Sequence, residues 1–339
     1  MRNPIKTHLH QVQISVVTGD AVDSSCDVLA LKYAQSFHGA DAIVAERMVD
    51  RGWSIADITC PPDGFRLLES RGSVAASRVL FVGVRQLREF SYLGIRKFGR
   101  KVLEALAGVA PEARHVSLTI HGPGYGLDET EAFEAEIAGL IDAITSNHIP
   151  TSLQRIDIVE MNSERAKRLR NILPILIPGG IVGSDLKQYL GKLTGNAPDH
   201  FRSVGYVSES RPHIFVAMPF REDMDDTYHY GITNAAKSVG MLCERADLSI
   251  FTGDILSWIK TRIDSASLLV ADLTGANPNV YLEVGYAWGK GIPTVLLVGD
   301  SKDLKFDVQG QRCLVYSKIR DLEKCLTEEL RGLIASKSI

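Results

Sequence analysis

The chain has 339 residues, 45% of them hydrophobic and 23% charged, a globular balance that excludes a disordered or low-complexity protein. Thirty-eight basic against 41 acidic side chains leave −3 with no long single-sign block, so charge gives no sign of a nucleic-acid or membrane surface. At roughly 100–200 residues per domain the length predicts two domains. Apolar runs such as 79–84 and 292–298 are far shorter than the roughly 20 residues of a membrane span.

Residues 1–6 carry charge with no apolar run behind them, so no signal peptide is expected. Five cysteines, an odd number without a CxxC pair, form neither a disulfide framework nor a zinc site. Cys26 and Cys243 sit beside apolar runs and read as buried thiols, and the expected compartment is cytoplasmic.

In chain order, 12–17 and 27–32 read as strands and 40–48 as a helix. A strand at 78–84 precedes a helix at 90–106 with apolar residues near a 3.6 period. A strand at 115–120, a helix at 129–144 and a strand at 153–160 follow. The pattern predicts helices covering a mixed or parallel sheet. Between 161 and 212 the pattern weakens. Arg165, Lys167, Arg168 and Arg170 cluster there, followed by Pro174, Pro178, Gly179, Gly180 and Gly183. This reads as a solvated connector, with contact to a phosphate-bearing ligand or a neighbouring subunit as the alternative.

From His213 the rhythm is regular. Strands at 213–217, 241–244, 267–271, 293–298 and 312–316 alternate with helices at 223–239, 253–264, 279–290 and 320–333. Five strands alternating with helices predict a small doubly wound sheet, flavodoxin-like in outline, whose switch point falls between the first and third strands if the order is 2-1-3-4-5. The boundaries are therefore a first domain at 1–165, a linker at 166–212 and a second domain at 213–339.

In such a sheet the ligand crevice lies beyond the carboxyl ends of the strands where the order reverses, here between the first and third strands. The loops leaving those strands are Met218-Pro219-Phe220-Arg221 and the run from Asp272 to Glu283. Glu283 falls about one turn into a helix, on the same face as Asn279, among Val280, Tyr281, Leu282, Val284 and Tyr286. A carboxylate in such company either serves the helix dipole or has a chemical purpose. Asp223, Asp225, Asp226 and Asp254 read as caps and first-turn charges. Trp258 and Trp288 read as packing residues.

The segments Ile214–Phe220 and Ala271–Ala287 resemble the TIR-like and nucleoside 2-deoxyribosyltransferase-like superfamily over about 213–335. That resemblance implies a Glu central to cleaving an N-glycosidic bond at Glu283. It places Met218, Phe220 and Arg221 at the pocket border, with Asp272, Asn277 and Asn279 on its polar rim. Deoxyribosyltransferases carry an Asp six residues before the catalytic Glu, where this chain has Asn277, which cannot donate a proton in that way. Nicotinamide leaves NAD⁺ without protonation, so the departure favours NAD⁺ as substrate, with no cofactor and no metal.

Two upstream loops stand out. Gly19-Asp20 ends the first strand, and Gly122-Pro123-Gly124-Tyr125-Gly126-Leu127-Asp128 leads into a helix, where backbone amides could meet an anion or Asp128 and Glu131 could form a cap. The Gly19-Asp20 turn with the following Asp27–Leu31 strand resembles the macro domain and the N-terminal domain of leucyl aminopeptidases. That resemblance implies adenine contact at Asp20. Ala30-Leu31-Lys32-Tyr33 replaces the expected Asn residues and Phe37-His38-Gly39-Ala40 the glycine-rich loop, which points to binding rather than hydrolysis.

The combined expectation is an α/β protein with a macro-like nucleotide sensor and a TIR-like NAD⁺ glycohydrolase. A nucleotide signal, an ADP-ribose derivative or cyclic nucleotide, would bind at Asp20, Gly122, Gly124 and Gly126. By the resemblance, signal binding would drive assembly of a homo-oligomer or filament, as in prokaryotic antiviral defence. The alternatives are a nucleoside glycosidase or 2-deoxyribosyltransferase on non-NAD substrates, and a non-catalytic assembly module.

Overall fold

The computed structural model describes residues 11–89, 91–245, 255–308, 310–336 and 338–339. The expectations for residues 1–6, for the start of the helices at 90 and 253, and for Asp254 lie outside the described residues. The contacts divide the chain into two units, 1–122 with 129–209, and 123–128 with 210–339.

The first unit contains β1 (Gln11–Thr18), β2 (Val28–Tyr33), α1 (Ala40–Asp50), α2 (Ile55–Ile58), β3 (Phe65–Glu69), β4 (Arg78–Gly83), α3 (Tyr92–Val109) and β5 (His115–Thr119). After these come α4 (Glu129–Thr145), β6 (Arg155–Glu160), α5 (Ser163–Leu176), β7 (Ile181–Gly183), α6 (Leu186–Leu190) and α7 (Ala197–Ser203). Its seven-stranded sheet has the order β3-β4-β2-β5-β6-β1-β7. Inner neighbours are parallel, while the β3–β4 and β1–β7 pairs at the edges are antiparallel. Strand β2 is apolar and buried along nearly its whole length, as a strand covered on both faces requires. Leu29, Leu31, Val44, Met48 and Phe81 form the core on one face. Helices α3 and α4 cross closely because Gly139 faces α3: a Cβ there would stand 2.0 Å from the Arg96 carbonyl oxygen.

The expected linker at 166–212 is a correction. Its residues up to Glu209 belong to the first unit as α5, β7, α6 and α7, and Leu169, Leu173, Val182, Tyr189 and Phe201 are buried. The glycines read there as connector punctuation instead make one turn. Gly179 and Gly180, at φ of 79° and 70°, reverse the chain so that β7 pairs antiparallel with β1. The arginines are paired as well: Arg168 binds Glu129 through two contacts of 2.8 Å, and Arg165 reaches Glu129 and Glu160. Strands β3 and β7 were not foreseen. β3 is half-buried without clean alternation, and β7 has only three residues.

The second unit carries β8 (His213–Ala217), a π-wound turn (Thr227–Ile232) running into α8 (Thr233–Ser238), β9 (Leu242–Glu244), α9 (Ile255–Ser265) and β10 (Leu268–Asp272). Then follow α10 (Pro278–Gly289), β11 (Thr294–Val298), β12 (Cys313–Val315) and α11 (Ile319–Ala335). The sheet order is β12-β11-β10-β8-β9, and every neighbouring pair is parallel. This is the expected 2-1-3-4-5 order, with the switch between β8 and β10. One face packs Val216, Ile232 and Leu326, the other Phe215, Ala271, Val280 and Val284. Among the described residues no helix is long and apolar enough to cross a membrane.

Candidate functional site

The loops leaving β8 and β10 meet, as the switch-point geometry requires. Met218 is buried, Phe220 is exposed, and Arg221 grips Asp223 with contacts of 3.0 and 2.9 Å. The Arg221 guanidinium also covers Gly275 in the turn after β10. A Cβ at that position would lie 3.1 Å from Nη1, and its φ of +74° suits glycine in any case.

Asp272, expected on the polar rim, is fully buried and committed to the scaffold. Its Oδ1 accepts from the Thr274 amide (3.0 Å) and hydroxyl (2.6 Å), and its Oδ2 from the Tyr316 hydroxyl (2.6 Å). Thr274 Oγ1 in turn accepts from the Gly299 amide at 2.9 Å. One carboxylate thus ties together the exits of β10, β11 and β12. Asn277 is the N-cap of α10, accepting from the Asn279 amide at 2.9 Å, with Pro278 at the first helical position. Asn279 is exposed.

Glu283 follows on α10, whose Val280, Val284 and Ala287 are anchored in the core. It is half-buried and has no hydrogen-bond or ion-pair partner among the described residues. Burial alone pushes its carboxyl up to about 7. A carboxyl that is poorly hydrated, unpaired and titrating near neutrality suits interaction with a developing positive charge.

Sequence reasoning missed Arg245. It leaves the end of β9 and stacks over the Tyr228 ring at 4.1 Å and towards Phe220 at 5.5 Å. It also pairs with Asp225 at 3.3 Å and approaches Met218 Sδ at 3.7 Å. The available signal was a basic residue directly after an apolar strand whose exit joins the same edge.

The expected signal-binding residues fall on both units. The Asp20 carboxylate caps a short turn by accepting from the Val22 amide at 3.0 Å. Gly122 clusters with the first unit, whereas Gly124 and Gly126 lie in the 123–128 segment of the second. Gly126 adopts a φ of +90° against Trp258, where a Cβ would stand 2.2 Å from the indole. Its carbonyl accepts from the Arg245 amide (3.2 Å), and Asp128 accepts from the Cys243 amide (3.1 Å). The glycine loop closes the open edge of β9, so its geometry serves packing. Trp258 is a core residue, as expected.

The first unit holds a buried polar group of its own. Lys32 on β2 is ion-paired with Asp41, both almost fully buried. His121 lies 3.4 Å from Glu136, also buried. Desolvation pushes His121 well below the ordinary imidazole range and Glu136 well above the carboxylate range, so both favour their neutral forms.

No family model matches the chain, and no curated protein matches it. Among solved structures, about half of the chain aligns with macrodomains. An Oceanobacillus iheyensis macrodomain with ADP is 13% identical with a TM-score of 0.37, over 49% of this chain and 96% of that one. A Trypanosoma brucei macrodomain in complex with ADP-ribose is 15% identical with a TM-score of 0.37, over 47% and 68%. The macro domain of ganglioside induced differentiation associated protein 2 is 12% identical with a TM-score of 0.37, over 49% and 85%. Likenesses this distant carry neither ligand nor activity to this chain.

Proposed function

We propose that the second unit is an N-ribosyl hydrolase acting on NAD⁺, with Glu283 as its catalytic carboxylate. The observation that carries this reading is the desolvated Glu283 carboxyl, without a partner among the described residues, just past the switch between β8 and β10. Breaking the bond between ribose C1′ and the nicotinamide nitrogen sends the bonding pair to nitrogen. The ring leaves neutral, and C1′ gains oxocarbenium character. A fixed carboxylate stabilises that charge, by electrostatics or by transient bonding, until water adds to C1′ and gives up a proton. No general acid is needed at the leaving group, which accords with Asn277 being engaged as a helix cap.

In this reading Phe220, Arg221 and Arg245 border the pocket, and the first unit controls the enzyme by binding a small ligand and promoting assembly. The test is to incubate the full chain with NAD⁺, NADH and deoxyinosine, with and without candidate nucleotides, and to identify products by mass. Nicotinamide and ADP-ribose from NAD⁺, with far slower cleavage of NADH, support the reading. Preferential cleavage of deoxyinosine would replace it with a nucleoside activity.

A further inference from the structure

The first unit contains a cleft of about 380 Å³ at the end of β4 and the start of α3, within the size range of small-ligand sites. Val82, Val84 and Phe98 contribute apolar surface, and Arg85, Lys97 and Lys101 bring positive charge. Lys97 and Lys101 are four residues apart on one helical face, an arrangement that is unfavourable unless an anion screens it. Lys101 lies over the Phe65 ring at 6.0 Å, while Lys97 has no hydrogen-bond or ion-pair partner among the described residues.

Three acidic groups share the cleft: Asp63, Glu89 and Glu209. Glu89 is 3.8 Å from Arg85. Glu209 holds an Oε1 3.5 Å from the Leu93 amide in the first turn of α3, a long contact where a free amide and the helix dipole favour negative charge. With Glu209 in place the three cations and three carboxylates cancel. With it withdrawn, positive charge is in excess. Glu209 is exposed, but its neighbour Ser208 is anchored: its hydroxyl accepts from the Gly205 amide at 2.7 Å and donates to Glu131 at 2.5 Å. The Glu209 side chain can therefore swing away while the backbone turn stays. Glu209 is also the last residue of the first unit before the chain enters the second at Ser210.

We infer that this cleft binds a small phosphate-bearing ligand whose anion replaces the Glu209 carboxylate at the start of α3. This rests on reading the first unit as the ligand-binding half of the protein and is independent of the chemistry at Glu283. Calorimetric titration of the full chain with inorganic pyrophosphate, and separately with ADP, tests it without any activity readout. Saturable binding of at least one is expected, weakened at least about tenfold by K97E/K101E and tightened severalfold by E209Q. Lys97→Gln, at an exposed position, keeps the test open should the double charge reversal unfold. Absence of saturable binding, binding indifferent to the lysine changes, or a Glu209→Gln variant that binds no better would overturn the proposal.

Discussion

Lys32 and Asp41 in the first unit are buried against each other, and His121 and Glu136 are buried side by side with shifts that favour their neutral forms. Glu283 in the second unit is also removed from water, yet it has no partner among the described residues and titrates near 7. Both regions lose hydration, but only the first recovers it locally through pairing. A paired buried charge holds a fold in one arrangement, whereas an unpaired one stores a cost that a cationic substrate can relieve. That contrast separates a structural polar core from a candidate catalytic group without reference to any relative.

The largest expected effect comes from breaking a buried pair. Asp41→Ala removes the carboxylate that Lys32 binds and should cost about 3–5 kcal/mol in denaturant unfolding. A loss below about 1 kcal/mol would show that the pair is not buried as described. Gly126→Ala places a Cβ against Trp258 at a positive φ and should cost about 2–4 kcal/mol. An unchanged melting temperature would contradict the packing role given to that loop.

Glu283→Gln should act in the opposite direction. The folded-state value, about 7, lies above the ordinary 4.5, so the folded chain holds this proton more tightly than the unfolded one. The stability linked to that proton is full below about 4.5 and is lost as pH rises through 7. Gln does not titrate, so the variant should gain up to about 3 kcal/mol over wild type at pH 8 and little at pH 4.5. Thermal melts at the two pH values check the sign. The smallest effect is Glu129→Gln, which loosens contacts to the partly exposed Arg165 and Arg168 and should cost no more than about 1 kcal/mol.

Much of the second unit was legible in the sequence because its parallel strands are short apolar runs alternating with helices, a rhythm that points to a doubly wound sheet, while the strand order itself comes from the structure. Glu283 was legible for a related reason, as an acidic side chain among apolar neighbours on a core helix. Its lack of a partner was not, because pairing depends on residues distant in sequence. Asp272 shows the reverse: its polar character was visible, but its bond to Tyr316 spans 44 residues of chain and turned a presumed rim group into a tether. The 166–212 segment was misread because its glycines and prolines punctuate real elements, and the buried face of α5 was masked by four basic residues. Gly126 was read as open to phosphate since no local pattern announces Trp258.

The central claim is that the Glu283 carboxylate does the chemistry, and the pH dependence of NAD⁺ cleavage tests it most directly. Nicotinamide release should be followed from pH 5 to 9 for wild type and Glu283→Gln, with and without the candidate nucleotides. For wild type, kcat/KM should rise about tenfold per pH unit up to about 7 and then level, because only the ionised carboxylate faces the developing cation. The Gln variant should be at least about 10²-fold slower at pH 8 and lack that acid limb, although it is folded and more stable. Wild-type turnover in Glu283→Gln, or no cleavage of NAD⁺ by wild type under any of these conditions, would contradict the account.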